Sequence, residues 1–560
     1  MEKIWLKSYQ KGVPSEIEPE TYTSLIDIFS KSCNQYQSRE AYSNMGTPLT
    51  YQQLDELSYL FAAYLQNHCG LKKGDRYAIM LPNVLQYPIV MFAILRAGGV
   101  VVNVNPMYTS YELNYLLKDS QPKGLIVLEN FASTVQRAVQ NTQVEHIVVT
   151  QIGDLFSWFK KRVVNFVVKK IKKMVPDYHL PQSIRFEDAI NKAKNYPFSP
   201  PKLTLDDVAF LQYTGATTGV AKGAVLTHRN MVANLMQARA WINPAIKALT
   251  TEGGIITALP LYHIFSLTAN CLTFMSIGVN NILITNPRDI PGFIKELKRQ
   301  PFTAITGVNT LFNALLNNEN FKKIDFSNLV LALGGGMAVQ KVVADKWQKA
   351  TGKPLLEAYG LTEASPAVTI NPLSLHGFNG AIGLPLPSTE VSIRDDDGNE
   401  LTLGEPGELC IKGPQVMREY WRQPDKTKEA FTKDGWLKSG DIAIMDEEGF
   451  IKIVDRKKDL ILISGFNVYP NEIEDVIAGH PKVKEVAVIG VTENTRGEMI
   501  KAFVVPNDES VTEQDIIEHC RHYLTKYKIP KMVEFRKELP KSNVGKVLRK
   551  ELRNEHHATS

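Results

Sequence analysis

The stretch from residue 50 to residue 128 alternates between two kinds of segment, and this alternation constrains the fold more than any other feature of the chain. Segments typical of amphipathic helices are followed by short apolar segments typical of strands. Repeated units of this kind predict a mostly parallel sheet covered by helices, and ligands of such folds bind at the loops beyond the strands. The predicted helices are 51–68, 86–97 and 110–120, and the predicted strands are 76–81, 100–103 and 124–128.

A loop rich in glycine and hydroxyl groups follows a further predicted strand at 208–212. Glycines let backbone N–H groups approach an anion, hydroxyls add neutral donors, and a lysine adds a compact positive charge. The composition predicts either a phosphate-binding loop or a surface hairpin rich in turn residues. It is not a Walker A loop, because two residues separate the last glycine from the lysine and strand-like sequence follows. The residues concerned are Thr214, Gly215, Thr217, Thr218, Gly219 and Lys222.

Two more predicted strands end in residues that suit a nucleotide. The first runs to Gly334, Gly335 and Gly336, where no side chain obstructs a flat ligand. The second, at 354–358, is followed by Tyr359-Gly360-Leu-Thr362-Glu363. An aromatic ring suits a purine and a carboxylate suits Mg²⁺, so this turn is a candidate nucleotide site.

The predicted secondary structure changes after residue 380. Short strands joined by turns predict antiparallel β-structure over 380–455. A charged joint at 455–459 precedes a new apolar segment, and we expect the domain boundary there. The remaining residues alternate helix and strand, which predicts a small α+β domain, and near its end Lys546 follows Gly545 on a polar loop.

Length, charge and cysteine content exclude several classes of protein. A chain of 560 residues with 44% apolar residues is long enough for more than one core and is not disordered over most of its length. A net charge of +5 is too small to predict a nucleic-acid partner. Five widely separated cysteines without metal-site spacing indicate a reducing, cytoplasmic location. No segment predicts secretion or a membrane span.

Residues 155–175 carry seven lysines and arginines and no acid, interspersed with aromatic and aliphatic residues. On a helical wheel most positive charges gather on one side, although Lys160 and Lys170 interrupt the apolar arc. The stretch predicts either a helix at a membrane surface or a basic surface helix that packs on the domain. Under the first interpretation the protein would touch the inner face of the cytoplasmic membrane.

Six segments taken together, in their order along the chain, resemble the motifs of the acyl-adenylate-forming enzymes, and most closely those of the acyl-CoA synthetases. The resemblance covers essentially the whole chain, and such ordered agreement is highly specific. It implies an α/β fold with a large N-terminal domain of layered α/β subdomains and a distorted β-barrel, and a small mobile α+β C-terminal domain. The segments are 213–223, 359–363, 436–441, 455–461, 465–472 and 540–546.

The resemblance also implies a reaction and its participants. A fatty acid, expected to be long-chain, would be activated by MgATP to an acyl-adenylate with release of pyrophosphate, and coenzyme A would then displace AMP. The implied domains are 1–455 and 459–560, with a hinge at 456–458 in which Lys458 matches the family's hinge position. The fatty acid, ATP and CoA are the expected partners, and Mg²⁺ the expected metal.

Individual roles follow by matching motif positions. Lys546 would be the adenylation lysine, Thr362 would contact phosphate, and Glu363 would serve phosphate and hold Mg²⁺. Thr214 to Lys222 would hold the β- and γ-phosphates, and Gly334 to Gly336 with Tyr359 and Gly360 would border adenine. Asp441 with Arg456 would bind the ribose, and Gly465, Phe466 and Asn467 would approach CoA.

Alternatives remain open at this stage. An aryl- or medium-chain acyl-CoA ligase would use the same motifs with a different acyl pocket. Ala216 stands where the family usually has glycine, which favours an impaired nucleotide- or acyl-binding relative, although Lys546 and Glu363 are retained. The sequence is compatible with a homodimer and does not fix the oligomeric state.

Overall fold

A computed structural model describes residues 3–214, 221–251, 253–463, 466–493, 497–542 and 545–559. In these residues two large, mostly parallel sheets form the first part of the chain, and three smaller sheets follow. Helices cover the large sheets, as the alternating sequence pattern predicts. The α-helices are Leu25–Gln35, Tyr51–Asn67, Gln86–Arg96, Ser110–Ser120, Ala132–Ala138, Trp158–Phe166, Phe186–Ala193, His228–Ile242, Ile246–Leu249, Ile290–Leu297, Asn309–Leu316, Lys341–Thr351, Pro424–Ala430, Pro470–Ala478, Glu513–Tyr523 and Arg549–Thr559.

One large sheet contains the strands that end in the three glycines and in Tyr359. Its inner strands are parallel, so the carboxyl ends of Leu331–Gly334 and Leu355–Gly360 lie side by side, with Gly334 opposite Glu357. Antiparallel strands close the two edges. In spatial order the strands are Leu384–Pro385, Ala367–Ile370, Leu355–Gly360, Leu331–Gly334, Phe302–Gly307, Gly254–Thr257, Asn280–Leu283, Glu40–Asn44 and Thr47–Thr50.

The other large sheet carries the polar loop. Val208–Tyr213 and Gly223–Thr227 pair antiparallel on the two sides of that loop, and a two-residue strand, Glu419–Tyr420, adds to the edge. The remaining strands are parallel to one another. In spatial order the strands are Glu419–Tyr420, Gly223–Thr227, Val208–Tyr213, Val100–Asn103, Arg76–Met80, Gly124–Leu128, His146–Thr150 and Ser183–Arg185.

The expected β-rich subdomain corresponds to an antiparallel sheet of the strands Glu390–Arg394, Gly407–Lys412, Leu437–Met445 and Ile451–Arg456. A hairpin of Ile461–Ile463 and Phe466–Val468 comes next, followed by a sheet of Val483–Glu493, Gly497–Pro506 and Met532–Phe535. The helices Pro470–Ala478 and Glu513–Tyr523 pack on this last sheet around a separate apolar core that includes Ile473, Val488 and Ile516. A small α+β unit therefore follows the β-rich region, where the sequence predicts it.

The basic stretch forms the helix Trp158–Phe166, which continues as the π-helix Val167–Ile171. Neither segment contains a buried residue. The structure corrects one feature of the helical-wheel interpretation: Lys160 does not interrupt an exposed apolar arc, because its Nζ donates to the Met45 carbonyl and to Thr47 Oγ1.

Among the described residues no helix is both long and apolar enough to cross a bilayer. All five cysteines are described, and each is free and buried.

Candidate active site

The polar loop is closed at its base by the strands that flank it. The Thr214 N–H donates to the Lys222 carbonyl at 2.9 Å, just beyond the antiparallel pair Tyr213–Gly223. The expected phosphate contacts Gly215, Thr217, Thr218 and Gly219, and the atypical Ala216, lie outside the described residues. At the end of the loop the Lys222 ammonium lies 4.9 Å from the centre of the Tyr420 ring. The Lys222 ammonium is thus held beside the edge strand Glu419–Tyr420.

The three glycines lie at the end of their strand, where neighbouring atoms occupy the space that a side chain at 334 or 335 would need, and we call this region the glycine surface. A Cβ on Gly335 would lie 2.9 Å from Phe265 and 3.0 Å from the Ala358 carbonyl, and a Cβ on Gly334 would lie 2.5 Å from Val339. Gly336 has a φ of +76°, which favours glycine. On the neighbouring strand a Cβ on Gly360 would meet the Pro366 carbonyl. Packing therefore requires glycine at 334 and 335, and the adenine contact that the sequence predicts for this surface stays a prediction.

Tyr359 and Asp441 join the glycine surface to the β-rich subdomain. The Tyr359 hydroxyl donates to Asp441 Oδ2 at 2.5 Å, and Asp441 Oδ1 lies 3.3 Å from Arg456 Nε. Asp441 and Arg456 are directly opposite each other on paired strands, which fixes their separation. Burial, reinforced by the Asp441 carboxylate, raises the pKa of Tyr359 well above its ordinary value, so the phenol remains a donor. Asp441 is 7% exposed, and the oxygens of a carboxylate at this place can accept hydrogen bonds from vicinal hydroxyls.

Glu363 is held by a segment far from it in sequence. Thr362 and Glu363 begin the short turn Thr362–Ala364 after the Tyr359 strand. The Met417 N–H donates to the Glu363 carbonyl at 2.7 Å, and the Tyr420 hydroxyl donates to Glu363 Oε1 at 2.6 Å. Among the described residues, no group of three or more His, Cys, Asp or Glu side chains is arranged to hold a metal. Mg²⁺ is commonly held by one or two carboxylates together with substrate phosphates, so Glu363 fits a metal that arrives with ATP.

Lys546 lies near the charged side chains of Arg456 and Asp441, although it belongs to the small domain. Its N–H donates to Ser542 Oγ at 3.1 Å, and the preceding Gly545 carbonyl accepts from Thr310 Oγ1 of the large domain at 3.3 Å. Burial lowers the pKa of Lys546 to about 7, an effect that the nearby Arg456 charge increases and the Asp441 carboxylate opposes. An anionic phosphate at this place would restore the ammonium charge.

His263 lies on the same surface. Burial is the main cause that lowers the pKa of His263 to about 4, and the positive charge of the neighbouring Lys546 lowers it further. This imidazole is therefore neutral near pH 7. His263 and Lys546 are far apart in the sequence and come close together only in the folded protein.

The expected hinge residues differ in how they are held. Arg456 pairs with Asp441, and Lys457 forms ion pairs with Glu408 at 3.0 Å and with Asp396 at 2.6 Å. These contacts attach the first two hinge residues to the large domain. Burial lowers the pKa of Lys458 to about 8, and within the described ranges Lys458 forms no ion pair with a carboxylate.

The residues expected near CoA are described only in part. Gly465 is outside the described residues, and Phe466 is described for its backbone only. Asn467 is exposed and pairs with Leu462 in the hairpin. In the described part of the chain no hydrogen bond connects Asn467 to Asp441, Tyr359 or Lys546. Among the described residues, the structure therefore brings Tyr359, Asp441, Arg456 and Lys546 together.

Comparison with known proteins identifies the family. The model of the AMP-binding enzyme family matches residues 29–421, and that of the AMP-binding enzyme C-terminal domain matches residues 472–546. The chain belongs to the AMP-binding enzyme family. The family prediction is thereby confirmed, and the second match covers the loop that presents Lys546.

Relatives and solved structures agree with this assignment over nearly the whole chain. The chain is 58% identical to a long-chain-fatty-acid–CoA ligase of Yersinia pestis over 99% of its own length and 98% of the relative's. It is 53% identical to a ligase of the same name from Haemophilus influenzae, over 100% and 99%. A crystal structure of the anthranilate CoA ligase AuaEII with anthranoyl-AMP superposes with a TM-score of 0.85 at 22% identity, covering 97% of this chain and 99% of that one. The predicted fold class is confirmed.

Sequence inspection missed two residues that contact the predicted site. Tyr420 binds Glu363 from 57 positions away, and Thr310 binds the Gly545 carbonyl from 235 positions away. Neither residue stands in a pattern that indicates a ligand. Tyr420 reaches the site because the strand Glu419–Tyr420 pairs with the strand that follows the polar loop.

Proposed function

We propose that this protein is an AMP-forming ligase that joins long-chain fatty acids to coenzyme A through an acyl-adenylate. The observation that carries the chemistry is the position of Lys546 beside Asp441 and Arg456 on the glycine surface. The substrate class comes from the relatives, which carry the name long-chain-fatty-acid–CoA ligase at 53% to 58% identity. Full-length coverage on both sides supports the transfer of the whole activity.

In the first half-reaction a fatty-acid carboxylate oxygen attacks the α-phosphorus of ATP, and the bond from that phosphorus to the pyrophosphate oxygen breaks. Lys546 offers an ammonium group to the charge that develops around the α-phosphorus. Asp441 and Arg456 hold the ribose, Tyr359 and the glycine surface border adenine, and Lys222 faces the outer phosphates. Mg²⁺ held by Glu363 would neutralise part of the phosphate charge, and Thr362 adds a hydroxyl beside it.

In the second half-reaction the CoA sulfur attacks the acyl carbonyl carbon, and the bond from that carbon to the AMP oxygen breaks. We propose that the small domain, 459–560, rotates between the two steps about a hinge at 456–458. The ties of Arg456 and Lys457 to the large domain favour Lys458 as the residue where the backbone turns. Rotation would withdraw Lys546 and bring Gly465, Phe466 and Asn467 towards CoA.

Product analysis with acids of graded length tests this function. Incubation with ATP, Mg²⁺ and CoA is expected to give acyl-CoA, AMP and pyrophosphate, with the highest kcat/KM for long chains. Highest efficiency with benzoate or a medium-chain acid would favour the aryl- or medium-chain alternative. Nucleotide binding without turnover would favour the impaired relative that Ala216 suggests. Release of ADP would contradict the proposal.

We also propose that the protein acts in the cytoplasm and contacts the inner face of the membrane through residues 155–175. Large apolar side chains on this stretch are exposed, among them Trp158 at 67%, Phe159 at 71% and Ile171 at 65%. Lys169, Lys170, Lys172 and Lys173 lie at its end and are also exposed. Apolar side chains beside solvated lysines suit the boundary of an anionic bilayer.

Sedimentation with anionic vesicles tests the membrane contact. Each lysine near such a surface contributes about 1 kcal/mol, and salt screens the contribution. Neutralising the four lysines together is therefore expected to abolish binding at moderate salt. Unchanged binding would show that the stretch is only a face of the domain. Sedimentation velocity without lipid distinguishes a monomer from the homodimer that the sequence leaves open.

A further inference from the structure

A short edge strand connects two parts of the nucleotide site that the sequence treats as unrelated. Glu419–Tyr420 pairs with Gly223–Thr227, the strand that leaves the polar loop directly after Lys222. On either side of it, the Arg418 N–H donates to the Val225 carbonyl at 3.2 Å and the Trp421 N–H donates to the Gly223 carbonyl at 2.7 Å. The strand is therefore fixed to the end of the loop by several backbone hydrogen bonds.

The same segment also holds the turn that contains Glu363. Its Met417 N–H donates to the Glu363 carbonyl at 2.7 Å, and the Tyr420 hydroxyl donates to Glu363 Oε1 at 2.6 Å. The Tyr420 ring lies 4.9 Å from the Lys222 ammonium. One side chain thus contacts both the candidate metal carboxylate and the candidate phosphate lysine, through its hydroxyl and its ring respectively.

Tyr420 is well suited to hold these groups in place. The residue is 8% exposed, and its own N–H donates to Thr427 Oγ1 at 3.0 Å, so the aromatic ring has little freedom. A hydroxyl that donates to Oε1 fixes the rotation of the carboxylate. In the described part of the chain Oε2 accepts no hydrogen bond, so it is available for a metal.

We propose that Tyr420 is a positioning residue that orients the Glu363 carboxylate towards the metal of MgATP and steadies Lys222 beside the outer phosphates. The inference rests on the proposed function only for the identity of the ligand as MgATP. Tyr420 itself contacts neither the reacting carboxylate nor the α-phosphorus. Its effect should therefore fall on the Mg²⁺-dependent part of nucleotide binding rather than on the thioester step.

The test compares ATP binding with excess Mg²⁺ and with EDTA, in the absence of fatty acid so that no turnover occurs. Tyr420→Phe removes the hydroxyl and keeps the ring. Loss of a hydrogen bond to a charged group typically corresponds to about a tenfold to a hundredfold change in affinity, and the lower end applies here because Tyr420 acts on the metal only through Glu363. We expect the gain in ATP affinity that Mg²⁺ provides to fall about tenfold in Tyr420→Phe, while the affinity measured in EDTA changes less than about twofold.

Two further variants separate positioning from a general loss of structure. Tyr51→Phe removes another buried hydroxyl, which donates to the Met275 carbonyl at 2.8 Å, and should lower Tm without changing the Mg²⁺ gain. Glu363→Gln removes the candidate metal ligand. If Tyr420 acts through Glu363, adding Tyr420→Phe to Glu363→Gln should reduce the Mg²⁺ gain little further.

The outcomes are distinct from those of the activity test. A normal Mg²⁺ gain in Tyr420→Phe, or equal losses with Mg²⁺ and with EDTA, would overturn the positioning role even if the protein makes acyl-CoA. Additive effects of the two substitutions would overturn it as well. Conversely, a protein that forms no acyl-CoA but loses its Mg²⁺ gain in Tyr420→Phe would refute the proposed function and leave this inference standing.

Discussion

Replacing Asp455 with asparagine should slow adenylation selectively, because Asp455 holds the small domain in the orientation that presents Lys546. The Asp455 side chain belongs to the last strand of the large domain and is fully buried. Its Oδ2 accepts the Asn471 N–H at 2.8 Å, in the first turn of the helix Pro470–Ala478. Its Oδ1 lies 3.7 Å from Arg549 Nη1, three residues beyond Lys546. Both contacts cross the hinge, so a rotation of the small domain must break them.

The size of the effect follows from these contacts. Hydrogen bonds to charged groups contribute about 1.5–3 kcal/mol, and asparagine keeps one acceptor oxygen. Arg549 also contacts Glu474 at 2.7 Å and Asp459 at 3.3 Å, both on the small domain, so it keeps most of its counter-charge. The lower end of the range is therefore appropriate, and it corresponds to about a tenfold smaller population of the Lys546-docked orientation.

The assay measures the two half-reactions separately at pH 8. Burial raises the pKa of Asp455 to about 6, so the wild-type carboxyl is ionised under these conditions. Asp455→Asn should lower fatty-acid-dependent exchange of pyrophosphate into ATP about tenfold. It should leave acyl-CoA formation from supplied acyl-adenylate unchanged. Asp325→Asn, which alters an exposed turn carboxylate that accepts the Ser327 N–H at 2.9 Å, serves as a matched control and should change neither rate. Equal losses in both half-reactions would refute the argument.

Three further predictions follow from the candidate site. Lys546→Ala should reduce pyrophosphate exchange by at least about a hundredfold and spare thioester formation from acyl-adenylate; equal losses in the two assays would count against domain rotation. In nucleotide-free protein, labelling of Lys546 by an amine reagent should increase as the pH rises through about 7, because the lowered pKa leaves the amine neutral above pH 7. Bound ATP should shift this increase to higher pH. An increase only near pH 10 without ATP would contradict the surroundings assigned to Lys546. If the ATP-bound loop requires a left-handed backbone at position 216, where the family usually has glycine, the alanine costs roughly 1–2 kcal/mol, and Ala216→Gly should raise kcat/KM for ATP several-fold. An unchanged value would reject strain in the ATP-bound loop.

Much of the fold could be predicted because its signals are local. The helices Tyr51–Asn67 and Ser110–Ser120 begin where the sequence indicates, and each starts with a capping box, Thr50 with Gln53 and Thr109 with Glu112. The strand Val100–Asn103 has the predicted bounds. Capping residues and apolar periodicity act over a few positions, so a single sequence is sufficient to recognise them.

Contacts between distant residues could not be predicted in this way. The inward direction of Lys160 depends on Met45 and Thr47, more than a hundred positions earlier, and no helical wheel contains that information. The link from Tyr420 to Glu363 depends on an edge strand of two residues, which is too short to leave a periodic signal. Motif order indicated that Lys546 and Asp441 belong to one site. The attachment of the first hinge residues to the large domain emerged only from the folded chain.

The most direct test of the proposed acyl-adenylate uses a fatty acid labelled with ¹⁸O in its carboxyl group. If a carboxylate oxygen attacks the α-phosphorus, that oxygen remains on phosphorus when CoA takes the acyl group. Mass spectrometry of the products is then expected to find one ¹⁸O atom in AMP and one in the acyl-CoA carbonyl. Unlabelled AMP, or ¹⁸O recovered in inorganic phosphate with ADP as the nucleotide product, would contradict the acyl-adenylate route.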